Sequence, residues 1–118
     1  MPTTLLIVDD HAGFRSFART MLSADGFEVT GEAEDGESAL AAVEQQHPDA
    51  VLLDVQMPGI DGFEVAQRLA ASGNGPSVVL TSSRDASDYG ARLTESPVRG
   101  FISKQDLSAA ALSELLAT

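Results

Sequence analysis

Three aspartates of this chain stand directly after short apolar runs, where a carboxylate is well placed to do chemistry. Asp9 and Asp10 follow residues 5–8, and Asp54 follows residues 50–53. Such runs are typical of buried strands, and parallel α/β sheets bind their ligands at the carboxyl ends of the strands. A turn marked by proline and glycine comes soon after Asp54. These three carboxylates are therefore candidates for one functional site.

A hydroxyl and an ammonium occupy the matching places after two later apolar runs. Thr81 follows residues 78–80, and Lys104, the only lysine of the chain, comes just after residues 98–102. Parallel strands end at the same edge of a sheet, so we expect both groups to face the three carboxylates.

Such a group of side chains favours metal-dependent phosphoryl chemistry. Two carboxylates about 5 Å apart repel by roughly 3 kcal/mol at an effective dielectric constant near 20, so three of them raise one another's pKa or recruit a cation. An all-oxygen site suits Mg²⁺. Asp54 could then act as a nucleophile and form an acyl phosphate, while Lys104 and the Thr81 hydroxyl hold phosphoryl oxygens.

Each of these residues has a plainer interpretation when it is taken alone. Asp9 and Asp10 could cap a helix, Asp54 could be a turn aspartate, Thr81 a β-branched strand end and Lys104 a solvated lysine. Their joint occurrence at strand ends favours a common site.

Three other polar residues are interpreted as structural. Asp61 is predicted to cap a helix, because Glu64 stands three residues later. His11 and His47 are predicted to be surface residues without a partner at metal-ligand spacing.

The elements that must position the site alternate along the chain. Four apolar runs cover residues 5–8, 50–53, 78–80 and 98–102, and a weaker strand is predicted at 27–33. The stretches between and after them have helical periodicity: one face collects Phe14, Phe17, Ala18, Met21 and Leu22, and further helices begin near Asp35, Asp61, Asp85 (to Thr94) and Asp106. This alternation predicts an α/β fold, a doubly wound parallel sheet covered by helices on both faces.

Composition narrows the function classes. The 118 residues, 43% of them hydrophobic, suit one domain spanning 1–118. The net charge of −11 argues against direct binding to nucleic acid or to an anionic membrane. Cysteine is absent, and we find no signal peptide or membrane span, so a cytoplasmic protein is expected.

The motifs in combination resemble the receiver (response-regulator) domain of bacterial two-component signalling over essentially the whole chain. They are Val8-Asp9-Asp10, Leu53-Asp54-Val55-Gln56-Met57-Pro58-Gly59, Val79-Leu80-Thr81-Ser82 and Gly100-Phe101-Ile102-Ser103-Lys104. The run Asp9-Asp10-His11 is most similar to receivers that carry a helix-turn-helix output domain. The resemblance implies a flavodoxin-like (βα)5 sheet with strand order 2-1-3-4-5.

The resemblance also implies a role for each site residue. Asp54 would be the phosphoacceptor, and Asp10, helped by Asp9, would bind Mg²⁺ or Mn²⁺ together with Asp54 and the main-chain carbonyl of Gln56. Thr81 would be the switch hydroxyl, Phe101 the switch aromatic and Lys104 the phosphoryl contact.

The implied function is a signalling switch. A sensor histidine kinase would supply the phosphoryl group, and the surface of the fourth helix, fifth strand and fifth helix would change to control an output or a homodimer. The alternative is a receiver-like interaction module that works without phosphorylation. A flavin binder is disfavoured because Asp9 and Asp10 would repel phosphate, and a haloacid-dehalogenase-type phosphatase because Gln56 replaces its second aspartate.

Two positions depart from the family pattern. Gln105 follows Lys104 where proline with a cis bond is common, which leaves the geometry of that loop open. Ser82 stands beside Thr81 where alanine or glycine is usual, and we expect its hydroxyl to alter access to the site.

Overall fold

A computed structural model of the chain describes residues 2–73 and 75–117. The strands are β1 (Thr4–Val8), β2 (Glu28–Ala33), β3 (Ala50–Asp54), β4 (Ser77–Ser82) and β5 (Gly100–Ser103). The helices are α1 (Ala12–Ala24), α2 (Gly36–Gln46), α3 (Gly62–Ala71), α4 (Ala91–Thr94) and α5 (Ala109–Leu116). The predicted alternation of strands and helices is confirmed.

All five strands are parallel and lie in the order β2-β1-β3-β4-β5, so the flavodoxin-like fold is confirmed. The strands β1, β3 and β4 occupy the centre of the sheet, with helices on both faces. This explains why their sequences are continuous apolar runs and do not alternate with polar residues.

Side chains on the two faces of the sheet form two separate cores. Leu6, Leu53 and Leu80 pack with α2 and α3, whereas Leu5 and Leu52 pack with α1 and α5. Neighbouring residues of a strand point to opposite faces, so each short apolar run contributes to both cores. The carboxyl edge of the sheet is thereby held from both sides.

Two aspartates start helices as predicted. The Asp35 carboxylate accepts a hydrogen bond from the Ser38 N–H at 2.8 Å, and the Asp61 carboxylate accepts one from the Glu64 N–H at 3.0 Å. Each satisfies a free N–H of the first helical turn. The Asp61 cap sets the start of α3 beside the end of β3.

The fourth helical stretch differs from the sequence prediction. Residues 85–94 do not form one helix: a 3-10 turn covers Ala86–Asp88, and only Ala91–Thr94 is α-helical. Gly90 separates the two pieces with a φ of 55°, a conformation that glycine adopts readily. The stretch is largely polar, which gives a continuous helix little apolar surface to bury.

Other boundaries and one core assignment also change. The fifth strand starts at Gly100, after the predicted Val98, and the last helix starts at Ala109 after a 3-10 turn over Lys104–Asp106. Phe17 belongs to the predicted apolar face of α1, yet 59% of its surface is exposed, so the part of that face that is buried is narrower than the spacing indicates. Within residues 2–73 and 75–117, no helix has the length and apolarity required to span a membrane.

Candidate functional site

Asp54 is the last residue of β3 and is almost completely buried, with 3% of its surface exposed. It lies in register opposite Thr81 of β4, and the N–H of Val55 donates to the Thr81 carbonyl at 2.9 Å. The start of α3 packs directly against it, since a Cβ on Gly62 would lie 2.5 Å from the Asp54 carbonyl oxygen. The fold therefore holds this carboxyl group firmly at the sheet edge.

The structure brings together the three aspartates that the sequence analysis selected. One donor atom each from Asp9, Asp10, His11 and Asp54 lies within 4.8 Å of all the others. The Asp9 side chain is completely buried, whereas Asp10 is open to solvent. The arrangement is an acidic pocket with a buried floor and an exposed rim, and we call it the acidic pocket below.

Lys104 supplies the cation that the sequence analysis placed here. Its Nζ lies 2.6 Å from Asp9 Oδ2 and 3.7 Å from Asp54 Oδ2. The ammonium also lies 4.6 Å from the centre of the Phe14 ring, within the range of a cation–π contact. Lys104 thus offsets part of the negative charge of two buried carboxylates.

The prediction for His11 is right about exposure and wrong about partners. Its ring is exposed, yet Nδ1 lies 3.1 Å from Asp9 Oδ1 and 3.1 Å from Asp10 Oδ1. The His11 N–H also donates to Asp9 Oδ1 at 2.8 Å. The position of His11 immediately after two aspartates was the signal that could have revealed these contacts.

The electrostatic environment leaves Asp54 unusually easy to protonate. Burial raises the pKa of this carboxyl to about 6, and the nearby charge of Asp9 adds to the effect. The Lys104 ammonium and a backbone hydrogen bond from Gln56 act in the opposite direction. At neutral pH the Asp54 carboxylate is charged in spite of its burial, so a cation that binds beside it stabilises the charged form.

Thr81 is fully buried, and its Oγ1 has no hydrogen-bond partner in the part of the chain that the structure describes. A buried hydroxyl without a partner costs free energy. Because Thr81 lies opposite Asp54, its hydroxyl can donate a hydrogen bond to an acceptor that is bound to the Asp54 carboxyl.

Phe101 lies in β5, in register with Leu80, and is half-buried. Its ring centre is 5.9 Å from that of Tyr89, a residue that the sequence analysis did not select. Tyr89 also makes an edge contact with Phe63 at 5.5 Å. Its hydroxyl is 2.6 Å from Ser82 Oγ.

The peptide bonds of the described residues are all trans, including the one between Lys104 and Gln105. A 3-10 turn begins at Lys104, and Leu107 closes it by donating to the Lys104 carbonyl at 3.3 Å. Lys104 therefore reaches the acidic pocket although a trans peptide bond to Gln105 follows it.

The donor set fits a hard divalent cation. Carboxylate oxygens are the ligands that Mg²⁺ and Mn²⁺ prefer, and Asp10 at the rim gives access from solvent. Asp61, predicted to be a cap, is engaged elsewhere: its second oxygen accepts from Arg92 at 2.7 Å.

A five-stranded parallel sheet in the order β2-β1-β3-β4-β5 with an acidic pocket at its carboxyl edge places the chain in the class of flavodoxin-like, CheY-like folds. The family model of the response regulator receiver domain matches residues 5–116. The chain belongs to this family.

Individual relatives agree with this assignment. The chain is 36% identical over 112 residues to a transcriptional regulator of Pseudomonas aeruginosa, covering 95% of this chain and 52% of that protein. It is 40% identical over 86 residues to the response regulator MprA of Mycolicibacterium vanbaalenii, covering 73% of this chain and 37% of that protein. The chain thus spans about half, or less, of these relatives.

Among solved structures, the chain is similar to the signal receiver domain of NarL from Mycobacterium tuberculosis. The TM-score is 0.90 at 29% identity, with 98% of this chain and 97% of that chain covered. This likeness extends from β1 to α5 and so includes every element that carries a residue of the acidic pocket.

Proposed function

We propose that this chain is a phosphorylation-dependent receiver, residues 1–118 acting as one unit in the cytoplasm. Asp54 accepts a phosphoryl group from a sensor histidine kinase, and the resulting change controls an output. The main support is the buried Asp54 carboxyl at the end of β3, with Lys104 Nζ 3.7 Å away and the Asp9 and Asp10 carboxylates within 4.8 Å.

The transfer balances as a simple displacement. A carboxylate oxygen of Asp54 attacks the phosphorus of a phosphohistidine, the P–N bond breaks, and the imidazole nitrogen leaves with the electron pair. The departing ring takes up a proton when it is released as neutral imidazole. Lys104 then faces the new phosphoryl oxygens, and the unpartnered Thr81 hydroxyl donates a hydrogen bond to one of them.

Mg²⁺ or Mn²⁺ would be held by the carboxylates of Asp9, Asp10 and Asp54 and by the main-chain carbonyl of Gln56. When bound, the cation offsets the charge that the acidic pocket and the phosphoryl group bring together. The N–H of Gln56 already bonds the Asp54 carboxyl, which places this residue at the rim of the pocket. Asp9 would share its negative charge between the cation and the Lys104 ammonium, which lies 2.6 Å away.

Switching would follow from the new partners of Thr81 and Lys104. Thr81 lies near the end of β4, which leads into the least regular part of the fold, the 3-10 turn at Ala86–Asp88 and the short α4, and Lys104 follows the neighbouring strand β5. A population shift in this region, with Phe101 changing its rotamer, would alter the surface of α4, β5 and α5. That surface is then the one to meet an output domain, a partner or a second copy of the chain.

The direct test is an intact-mass measurement after incubation with a small phosphodonor and Mg²⁺. Wild type is expected to gain one phosphoryl group, and Asp54→Asn is expected to gain none. Asp49→Asn is the matched control, because Asp49 lies at the opposite end of the same strand. An adduct of equal size on Asp54→Asn would overturn the assignment.

One observation favours the alternative, an interaction module that works without phosphorylation. Lys104 Nζ lies 2.6 Å from Asp9 Oδ2, so a side chain of the protein already neutralises part of the pocket. A module of this kind would keep the same oligomeric state and stability when Mg²⁺ and a phosphodonor are added. Sizing before and after phosphorylation separates the two functions.

A further inference from the structure

The hydrogen bond between Ser82 and Tyr89 joins the end of β4 to the start of α4. Ser82 Oγ and the Tyr89 hydroxyl are 2.6 Å apart, and Ser82 Oγ also accepts from the Arg84 N–H at 3.0 Å. Ser82 is 1% exposed. A single buried hydroxyl thus holds both ends of the connection between β4 and α4.

Tyr89 is well placed to transmit a movement of β4. Its ring packs between Phe63 of α3 and Phe101 of β5, with centre distances of 5.5 Å and 5.9 Å. Its carbonyl accepts from the Arg92 N–H at 3.2 Å, and Gly90, the N-cap of α4, is the next residue. Any displacement of Tyr89 therefore shifts the first turn of α4.

Ser82 is coupled to the phosphoryl chemistry through its neighbour in the chain. None of the described residues hydrogen-bonds the buried Thr81 hydroxyl opposite Asp54, so a phosphoryl group on Asp54 offers this hydroxyl an acceptor. Successive side chains of a strand point to opposite faces. Because Thr81 and Ser82 are joined by one peptide, a movement of Thr81 toward Asp54 also displaces Ser82, whose side chain lies on the opposite face with Tyr89.

We propose that Ser82 and Tyr89 are positioning residues that form a latch: their hydrogen bond holds the β4–α4 connection in the unphosphorylated conformation, and phosphorylation of Asp54 breaks it. A hydrogen bond of 2.6 Å is lost when the oxygens move apart by about 1 Å. The latch rests on the proposed function, because it opposes the conformation that the phosphoryl group stabilises.

The test is the affinity of the full chain for beryllofluoride, a phosphoryl analogue, measured calorimetrically with saturating Mg²⁺. Ser82→Ala and Tyr89→Phe each delete one hydroxyl and keep the remaining packing. Removing one ordinary hydrogen bond from the unbound state should tighten binding roughly two- to tenfold. Ser82→Ala also removes the acceptor of the Arg84 N–H, so the double variant should equal Ser82→Ala, which already abolishes the bond to Tyr89.

A spectroscopic readout distinguishes the latch from a general loss of structure. Tyr89 is the only tyrosine and the chain has no tryptophan, so intrinsic emission reports this ring alone. Wild-type emission should change when beryllofluoride and Mg²⁺ are added. In Ser82→Ala the free protein should already show much of that change.

Ser23→Ala is the control, because it deletes an exposed hydroxyl of α1 and should bind like wild type. Wild type that binds no beryllofluoride and forms no phosphoryl adduct would overturn the proposed function, and the latch with it. Wild type that binds, with unchanged affinity in Ser82→Ala and Tyr89→Phe, would overturn the latch alone. Additive effects in the double variant would also contradict it.

Discussion

Asp49 and Asp54 stand at opposite ends of the same strand and are held in opposite ways. Asp49 immediately precedes β3, is exposed, and accepts a hydrogen bond from the Thr4 N–H at 2.9 Å, while its own N–H donates to Thr4 Oγ1 at 2.8 Å. Hydrogen bonds to the Asp49 carboxylate from the Thr4 backbone N–H and, to a lesser extent, from the Thr4 side chain lower the pKa of this carboxyl. Asp54, at the other end, is buried beside further carboxylates, and its pKa is raised to about 6.

The difference separates a structural acid from a reactive one. At the amino edge of the sheet the charge is solvated and paired with the backbone, so it helps to join β1 to β3. At the carboxyl edge the fold withholds water and places Asp9 close to Asp54, so the charged form is disfavoured until a cation arrives. The same residue type thus serves opposite ends of one strand because their surroundings differ.

Replacing Asp54 by asparagine is expected to stabilise the protein, and this is the largest effect. A pKa raised from 3.8 to about 6 corresponds to about 3 kcal/mol at neutral pH. Between these two values the folded state binds more protons than the unfolded state, so wild type loses stability as the pH rises. Urea unfolding with a chelator present should give Asp54→Asn a higher free energy of unfolding than wild type near pH 7. This difference should almost disappear near pH 4. A gain that does not depend on pH would contradict the burial of Asp54 as its cause.

Mg²⁺ should offset the loss of stability that the charged Asp54 carboxylate causes at the carboxyl edge of the sheet. It should have no effect at the amino edge, where Asp49 lies. Binding at one site stabilises the folded state by about 3 kcal/mol when free Mg²⁺ is 100 times its Kd. Thermal unfolding of wild type should therefore shift upward with Mg²⁺ and return on chelation. Asp10→Asn should lose most of the shift, and Asp49→Asn should keep it. An equal shift in both variants would place the cation elsewhere.

Lys104→Met should weaken the fold and strengthen cation binding. The change leaves the buried Asp9 carboxylate without its ammonium partner, which costs about 2 kcal/mol, less than the loss of a fully buried pair. The pocket also becomes more negative, so Mg²⁺ should bind more tightly while the phosphoryl adduct forms more slowly. Chemical unfolding, Mg²⁺ calorimetry and intact mass measure the three effects. Tighter binding together with faster phosphorylation would contradict the role of Lys104.

Asp49→Asn should have the smallest effect, with the sign opposite to that of Asp54→Asn. A lowered pKa gives stability that is present above the unfolded value and is lost as the pH falls through the folded one. The variant should therefore be slightly less stable than wild type at neutral pH and equal to it in acid. Thr4→Val, which removes one of the two bonds, should act in the same direction. Stabilisation by either change would remove the contrast between the two ends of β3.

Periodicity and strand-end chemistry were sufficient to predict much of the molecule. The apolar runs at 50–53 and 78–80 predicted two central strands, and the polar residues after them predicted the edge where Asp54 and Thr81 meet. Asp61 was recognised as a cap because capping depends on residues three positions apart. Signals of this kind are local, so a single sequence contains them.

Contacts between distant elements escaped that reasoning. The Ser82–Tyr89 bond depends on the path of residues 83–88, which include the 3-10 turn at Ala86–Asp88, and the exposure of Phe17 depends on which face of α1 meets the sheet. Neither follows from helical or strand periodicity. The shortness of α4 likewise reflects a balance between weak local propensity and little available apolar surface.

Residue order and residue type were enough to locate the central strands and to name the chemical groups of the acidic pocket. The electrostatics of the pocket became visible only in the folded chain: Lys104 pairs more closely with Asp9 than with Asp54, His11 contacts two carboxylates, and Asp54 is the acid with the raised pKa. Residue types are encoded locally, whereas burial and the distance between charges depend on the packing of the whole sheet with its helices.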